Sequence, residues 1–206
     1  VGHTPIAIVV RKDLPVNTLE EFVAYAKKAE KPLSFGSTGV GSLYHLMSEK
    51  ALQSAGAKGL HVPYNGLAPY LKDLMGGSID FAVAPLVGPV LGAIDGGQIK
   101  ALAIASTQSI PRLPKLVPAR NTKNFEDFVF SIWIGIQASA KTPDAQVSAI
   151  HQAAYAALTN ADTRKTIEGS GTVIAQPMSL AQLDAFYKKE ATTGAAIAKS
   201  INLQAQ

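Results

Sequence analysis

Residues 32–46, PLSFGSTGVGSLYHL, decide how the rest of the chain is read. Pro32–Leu33–Ser34–Phe35 reads as a short strand, and the chain turns at Gly36. A helix then runs from about Ser42 to Ser54, with Leu43, Leu46, Met47 and Ala51 at helical spacing. The pattern repeats in both directions. Upstream, Thr4–Val10 (TPIAIVV) reads as a buried strand. Thr18-Leu19-Glu20-Glu21 is a capping box that opens a helix with Leu19, Phe22, Val23 and Ala26 on its apolar face. Downstream come strand Leu60–Pro63, helix Ala68–Met75, strand Ile79–Val83, helix Val87–Asp95 and strand Lys100–Ala105. Gly76-Gly77 and Gly96-Gly97 end two of the helices, where Gly turns left-handed at least cost. Strands alternating with helices at this spacing imply βαβ units and a mostly parallel sheet, so the fold class is α/β.

Between Ser106 and Glu126 the texture changes: Pro111, Pro114 and Pro118 exclude both a regular helix and a central strand. This segment is expected to leave one lobe for another. Phe128–Ala138 (FVFSIWIGIQA) then reads as a long apolar strand, and Thr142-Pro143-Asp144 opens a helix with Val147, Ile150, Ala154, Ala157 and Leu158 on one face. A shorter helix from Ala161 to Gly169 and a strand at Val173-Ile174 follow. A last helix from Ser179 is expected to dock on a core through Leu180, Leu183, Phe186, Ile197 and Ile201.

Chemistry concentrates in Gly36-Ser37-Thr38-Gly39-Val40-Gly41-Ser42, between a strand and a helix start. Three glycines let the backbone point amides inward, the helix start adds free N–H groups and partial positive charge, and Ser37, Thr38 and Ser42 add hydroxyls. Such a turn can hold an anion without a fixed charge. A nucleotide-triphosphate loop would need Lys after its last Gly, where Ser42-Leu43 stands. A dinucleotide fingerprint would need a small residue at Tyr44, and the GxSxG of a nucleophile elbow occurs nowhere. Two readings remain: a site for a carboxylate or free phosphate, and a tight turn with a Ser cap and no ligand. A hydrolase alternative pairs Ser42 or Ser37 with His45 and a carboxylate such as Asp80. His3, His61 and His151 lack the spacing of a metal site, and no cofactor is implied. Tyr64, in the turn Val62–Gly66, either lines a cleft or is a half-buried surface residue. Asp80, in an apolar strand, points to a structural hydrogen bond.

The net charge of +4 is scattered, with no basic stripe interleaved with aromatics, which argues against nucleic acid as a partner. The absence of cysteine removes disulfides and thiol catalysis. The longest apolar run, Phe81–Ile94, is broken by Pro85, Gly88, Pro89 and Gly92 and falls short of the roughly 20 residues that cross a bilayer. The chain starts at Val1 without a leader and reads as a processed or trimmed product.

Residues Pro32–Leu46 also resemble a signature segment of the Bug family, the TctC-like solute receptors of tripartite tricarboxylate transporters. The likeness continues through His61-Val62-Pro63-Tyr64-Asn65-Gly66, Asp73–Asp80, Gly97–Ala103, Trp133-Ile134-Gly135 and Thr142-Pro143. It implies two Rossmann-like lobes of periplasmic binding protein (type II-like) architecture, and a periplasmic, monomeric, non-catalytic receptor. Its partners would be a small mono- or dicarboxylate ligand and, transiently, membrane transporter subunits. It further implies that Ser37, Thr38, Gly39, Gly41 and Ser42 form one of two pincers on the ligand carboxylate. Tyr64, Ala84 and Pro85 would meet the ligand's distal end. Three departures stand out. Val117-Pro118-Ala119-Arg120-Asn121 replaces the family's usual sequence there, Gly194 stands where Trp is usual, and the stretch that precedes Thr4–Val10 in the family is absent. The expected division is therefore residues 11–119 as lobe 2, which carries the turn, and residues 1–10 with 120–206 as the remainder of lobe 1, without its N-terminal half.

Overall fold

The computed structural model describes residues Val1–Ser200. Strands and helices follow in the order β1 (Gly2–Arg11), α1 (Leu19–Lys28), β2 (Leu33–Ser37), α2 (Leu43–Ala55), β3 (Gly59–Pro63), α3 (Leu67–Gly76), β4 (Phe81–Pro85), α4 (Gly88–Asp95) and β5 (Ile99–Ile104). After a linker with one 3-10 turn at Ala119–Asn121 come β6 (Ser131–Ile134), α5 (Asp144–Thr159), α6 (Ala161–Gly169), β7 (Val173–Ile174) and α7 (Leu180–Ser200). Thr18 caps α1 as its capping box requires, its side chain accepting from Glu21 N–H at 3.2 Å.

The main sheet has the order β3-β2-β4-β1-β5. β2 is parallel to β3 and β4, whereas β1 is antiparallel to both β4 and β5. Four strands thus run one way and β1 runs against them. Residues Ile6–Arg11 carry that pairing, while Gly2–Pro5 pair antiparallel with β6, and Gly2-His3 also with β7. One strand therefore belongs to two sheets. Pro5 sits where the partners change; it has no N–H to donate, and its carbonyl accepts from Leu86 N–H at 2.9 Å.

Along β1 the side chains alternate between two cores, as period-2 geometry demands. Ile6, Ile8 and Val10 join α1 and α2 (Phe22, Met47, Leu52) on one face. Ala7 and Val9 join α3 and α4 (Tyr70, Leu74, Val90) on the other. Asp80 clips the carboxyl end of β1 to the amino ends of β2 and β4. Its carboxylate accepts from Arg11 Nε at 3.0 Å and from Ser34 N–H and Ser34 Oγ, both at 2.9 Å.

The other lobe departs from expectation. Phe128–Ala138 is a strand only over Ser131–Ile134, because its ladder ends at the pair Gly2↔Ile134 and residues 135–138 have no strand partner among those described. Phe128 instead enters the main core from a loop, against Phe125. No residue of α5 is fully buried: Val147, Ala154 and Leu158 are half-buried while Ile150 is 44% exposed, so its apolar face is only partly covered among the described residues. Leu180 is also exposed; Phe186 packs edge-on to Trp133 at 6.0 Å. The Ile197 side chain and Ile201 lie outside the described residues. The two lobes touch closely at Gly171, where a Cβ would stand 2.1 Å from Leu86 O.

Replacing Asp80 with Ala strands the Ser34 N–H and the Arg11 guanidinium. It is expected to cost about 1–3 kcal/mol of unfolding free energy in urea titration; an unchanged midpoint would show that the clip adds nothing.

Candidate functional site

Because β2, β3, β4 and β5 run in parallel, their carboxyl ends meet at one edge of the sheet. The chain passes from β2 to β3 on one side and then crosses to β4 on the other. The crevice beyond β2 is thus a topological switch point, where open α/β sheets take their ligands. The turn Gly36–Ser42 occupies it.

Local conformation explains the glycines. Gly39 (φ 128°) and Gly41 (φ 76°) lie in the region that side-chain-bearing residues avoid. Gly36 is required for space, since a Cβ would meet Ile79 Cδ1 at 2.6 Å and Tyr70 Cβ at 3.0 Å. Ser42 is the N-cap of α2, its Oγ accepting from His45 N–H at 3.2 Å. Ser42 N–H donates to Gly39 O, Gly39 N–H to Ser37 Oγ, and Gly41 N–H to His45 Nδ1 at 3.1 Å. That leaves the amides of Thr38, Val40, Leu43 and Tyr44 without a hydrogen-bond partner among the described residues. Four free N–H groups around a helix N-terminus can take an oxyanion in uncharged surroundings.

The other residues named from sequence are placed differently. Tyr64 is half-buried, and its hydroxyl donates to Asp73 Oδ2 at 2.8 Å. Burial and the Asp73 carboxylate push the phenol up to about 12. Ala84 is fully buried in the core beneath α3 and α4, and Pro85 is buried opposite Ile6 on β1. Thr38 is half-buried and Ser37 fully buried.

The hydrolase arrangement does not form. Ser42 Oγ meets the backbone of His45, and the His45 ring accepts from Gly41 N–H instead. Ser37 pairs with a different histidine, His61, at 2.7 Å, and its hydroxyl is enclosed by Gly39. Asp80 lies at the amino ends of β2 and β4, away from the turn, held by Arg11 and Ser34. His61, which sequence reasoning passed over, stacks on His45 with ring centroids 3.9 Å apart. Burial, and then the charge His45 would carry, hold the His61 imidazole down to about 4; burial also lowers His45.

A cleft of about 830 Å³ opens between the lobes beside β1, lined among others by Leu43, Ser106, Ser109, Phe130, Trp133 and Glu190. Leu43 is the first residue of α2 and connects this cleft to the turn, although the residues named from sequence do not line it. The sequence places Phe130 and Trp133 in a strand, Trp133 also within a segment of the family likeness, and nothing in their pattern marks a cleft wall. No group of His, Cys, Asp and Glu among the described residues could hold a metal ion, and no described helix is long and apolar enough to cross a membrane.

A glycine turn at the carboxyl edge of an open sheet, beside a second lobe, is an arrangement that this chain shares in fold with a periplasmic binding protein of known structure. Residues 1–203 match the family model "Tripartite tricarboxylate transporter family receptor", and the chain belongs to that family. It is 31% identical over 192 residues to the UPF0065 protein in the TAR-I ttuE-ttuC' intergenic region of Agrobacterium vitis, covering 92% of this chain and 55% of that relative. The chain therefore spans little more than half of that relative's length. Among solved structures it is similar to the periplasmic binding protein BugD (TM-score 0.87, 26% identity, 100% of this chain and 69% of that one). It also resembles MatC from Rhodopseudomonas palustris with bound malate (TM-score 0.84, 24% identity, 95% and 67%).

Two outcomes test this geometry. A Cβ at Gly39 meets open space, so Gly39→Ala strains only the backbone; a loss of about 1–3 kcal/mol in chemical denaturation is expected, and no loss would place the turn in another conformation. His61 binds its proton less readily folded than unfolded, so its contribution to stability is complete above the ordinary imidazole range. It drains away as pH falls from about 6.5 toward 4. Glu49, beside His45 and raised by burial, works in the opposite direction. The comparison is therefore with His61→Phe, whose stability should fall less steeply over that interval; parallel curves would contradict the depressed imidazole.

Proposed function

We propose that this chain is the solute-binding body of a periplasmic receptor that captures a small mono- or dicarboxylate and presents it to the membrane subunits of a tripartite tricarboxylate-type transporter. In this reading it acts as a monomer, without a cofactor and without catalysing a reaction. The observation that carries the proposal is the set of free amides at Thr38, Val40, Leu43 and Tyr44, grouped at the switch point of the sheet and the N-terminus of α2. Amide donors suit a carboxylate because they complement its charge without a countercharge that must be desolvated and repaired. Thr38 and Ser42 add hydroxyls beside them. Residues 11–119, completed by Ile6–Val10 of β1 and by Phe125 and Phe128, would form the lobe that carries the turn, and the start of β1 with the rest of 120–206 the other, the cleft at Phe130 and Trp133 taking the rest of the solute. Tyr64 would act as a wall over Gly36, its hydroxyl already engaged by Asp73. Ala84 and Pro85 would act only from within the core, by fixing β4 against β1.

Family membership and the likeness to BugD support the receptor reading. The malate-bound neighbour supplies a natural first probe. Isothermal titration of the protein with a panel of mono- and dicarboxylates that includes malate, alongside neutral sugars and amides, is the direct test. Saturable binding of at least one acid and of no neutral solute is expected. Binding of neutral solutes only, or of no acid, would sink the proposal.

A further inference from the structure

Two histidines pack beneath the turn. His45 comes from the first turn of α2 and is 7% exposed; His61 comes from the neighbouring strand β3 and is half-buried. Their rings stack at 3.9 Å with 16° between planes, and Phe35 of β2 lies against His61 at 5.0 Å and His45 at 6.1 Å. Each ring presents one nitrogen to one end of the turn.

The proton positions follow from counting donors. Gly41 N–H donates to His45 Nδ1, so that nitrogen carries a lone pair and a neutral ring keeps its proton on Nε2. Nε2 of His45 looks toward Glu49 at 3.8 Å, beyond hydrogen-bonding distance. Ser37 Oγ has three neighbours: Gly39 O at 3.0 Å, Gly39 N at 3.2 Å and His61 Nε2 at 2.7 Å. Its single proton satisfies all three only if it goes to Gly39 O while both N–H groups donate to the oxygen. His61 is then also the Nε2–H tautomer. Two neutral rings can stack at this distance, whereas two imidazolium ions would repel in a buried setting.

We propose that the stacked His45–His61 pair is the positioning device of the anion turn, one ring fixing Ser37 and the other fixing Gly41, so that the amides between and beyond them stay free for a carboxylate. The pair divides the turn's donors into two sets. Gly39 and Gly41 N–H are committed to Ser37 and His45, and Thr38, Val40, Leu43 and Tyr44 N–H are not. Without His45, Gly41 N–H has no acceptor and the glycine pair loses the bond that holds its left-handed geometry. Without His61, Ser37 loses its shortest partner and the Gly39 end of the turn is held by fewer bonds.

This inference rests on the carboxylate reading above, and substitutions matched by bond count separate it from a packing role. Asn carries an acceptor at the position of Nδ1, and Gln a donor at the position of Nε2; Phe keeps the ring stack and loses both. If the rings only fill space, His45→Phe and His61→Phe behave like wild type and the amides are worse. If they position the turn, the order reverses. Two readouts are taken on the full chain. In the free protein, exchange of the Gly41 amide is followed by NMR. That amide is hydrogen-bonded to His45 although Gly41 itself is exposed, and it should exchange about tenfold faster in His45→Phe, the equivalent of one lost hydrogen bond, and slow again in His45→Asn. With malate, adipate and benzoate as probes, His61→Phe should lose about tenfold in affinity for whichever acid the wild type holds, with recovery in His61→Gln. Unchanged Gly41 exchange in His45→Phe, or Phe variants that match wild type in both readouts, would overturn the proposal. If wild type binds none of the probes while Gly41 exchange follows the expected order, the positioning role stands and the carboxylate reading is what fails.

Discussion

The structure hangs on one strand. β1 contributes ten residues, and every one from Gly2 to Arg11 lies in a ladder: the first four with β6 and β7, the rest with β4 and β5. Among the described residues no other strand joins the two sheets. Because a strand's side chains alternate, the same segment also separates the two cores of the main lobe. A slip of one residue would exchange Ile8 and Val10 with Ala7 and Val9 and empty one core into the other. The register is therefore strongly specified, and with it the relative placement of the cleft walls on either side of Pro5.

That frame fixes where the glycine turn sits. The parallel strands deliver their carboxyl ends to one edge, and β2 lies where successive connections diverge, which opens the crevice filled by Gly36–Ser42. The turn works by withholding hydrogen bonds. Most buried backbone amides in a folded protein are paired, and here several are kept free by glycine geometry at 39 and 41, a serine cap at 42 and a histidine that takes one amide away. A site of this kind has no cation to attract the wrong anion over a distance. In the proposed reading its selectivity would rest on geometry and on the partly aromatic cleft beside it, where Glu190 supplies a negative charge.

Much of this was legible in the residues. Strand-helix alternation, the Thr18 and Ser42 caps and the Gly77 helix end follow from local chemistry, and the structure places them within a residue or two of expectation. What failed depended on partners distant in sequence. The apolar run 128–138 looks like one strand, yet pairing is available only to 131–134, and Phe128 serves the core from a loop. The α5 face carries helical periodicity but is only half covered among the described residues. Ala84 and Pro85 sit in a strand buried on both faces, where periodicity cannot say which residue reaches a cleft. Asp80 was correctly suspected of a structural bond, because a lone carboxylate in an apolar strand must be paired. His61 carried no local signal at all: its role exists only because β3 sets it beside Ser37 of β2.

The central claim is that the free amides of the turn are the anion-binding groups. An amide-resolved NMR titration of the protein with the acid that binds it most tightly tests this most directly. The account predicts that the largest shifts fall on the amides of Thr38, Val40, Leu43 and Tyr44, while that of Gly41 moves little because His45 already holds it. Saturable shifts confined to other residues, with these four unmoved, would contradict it.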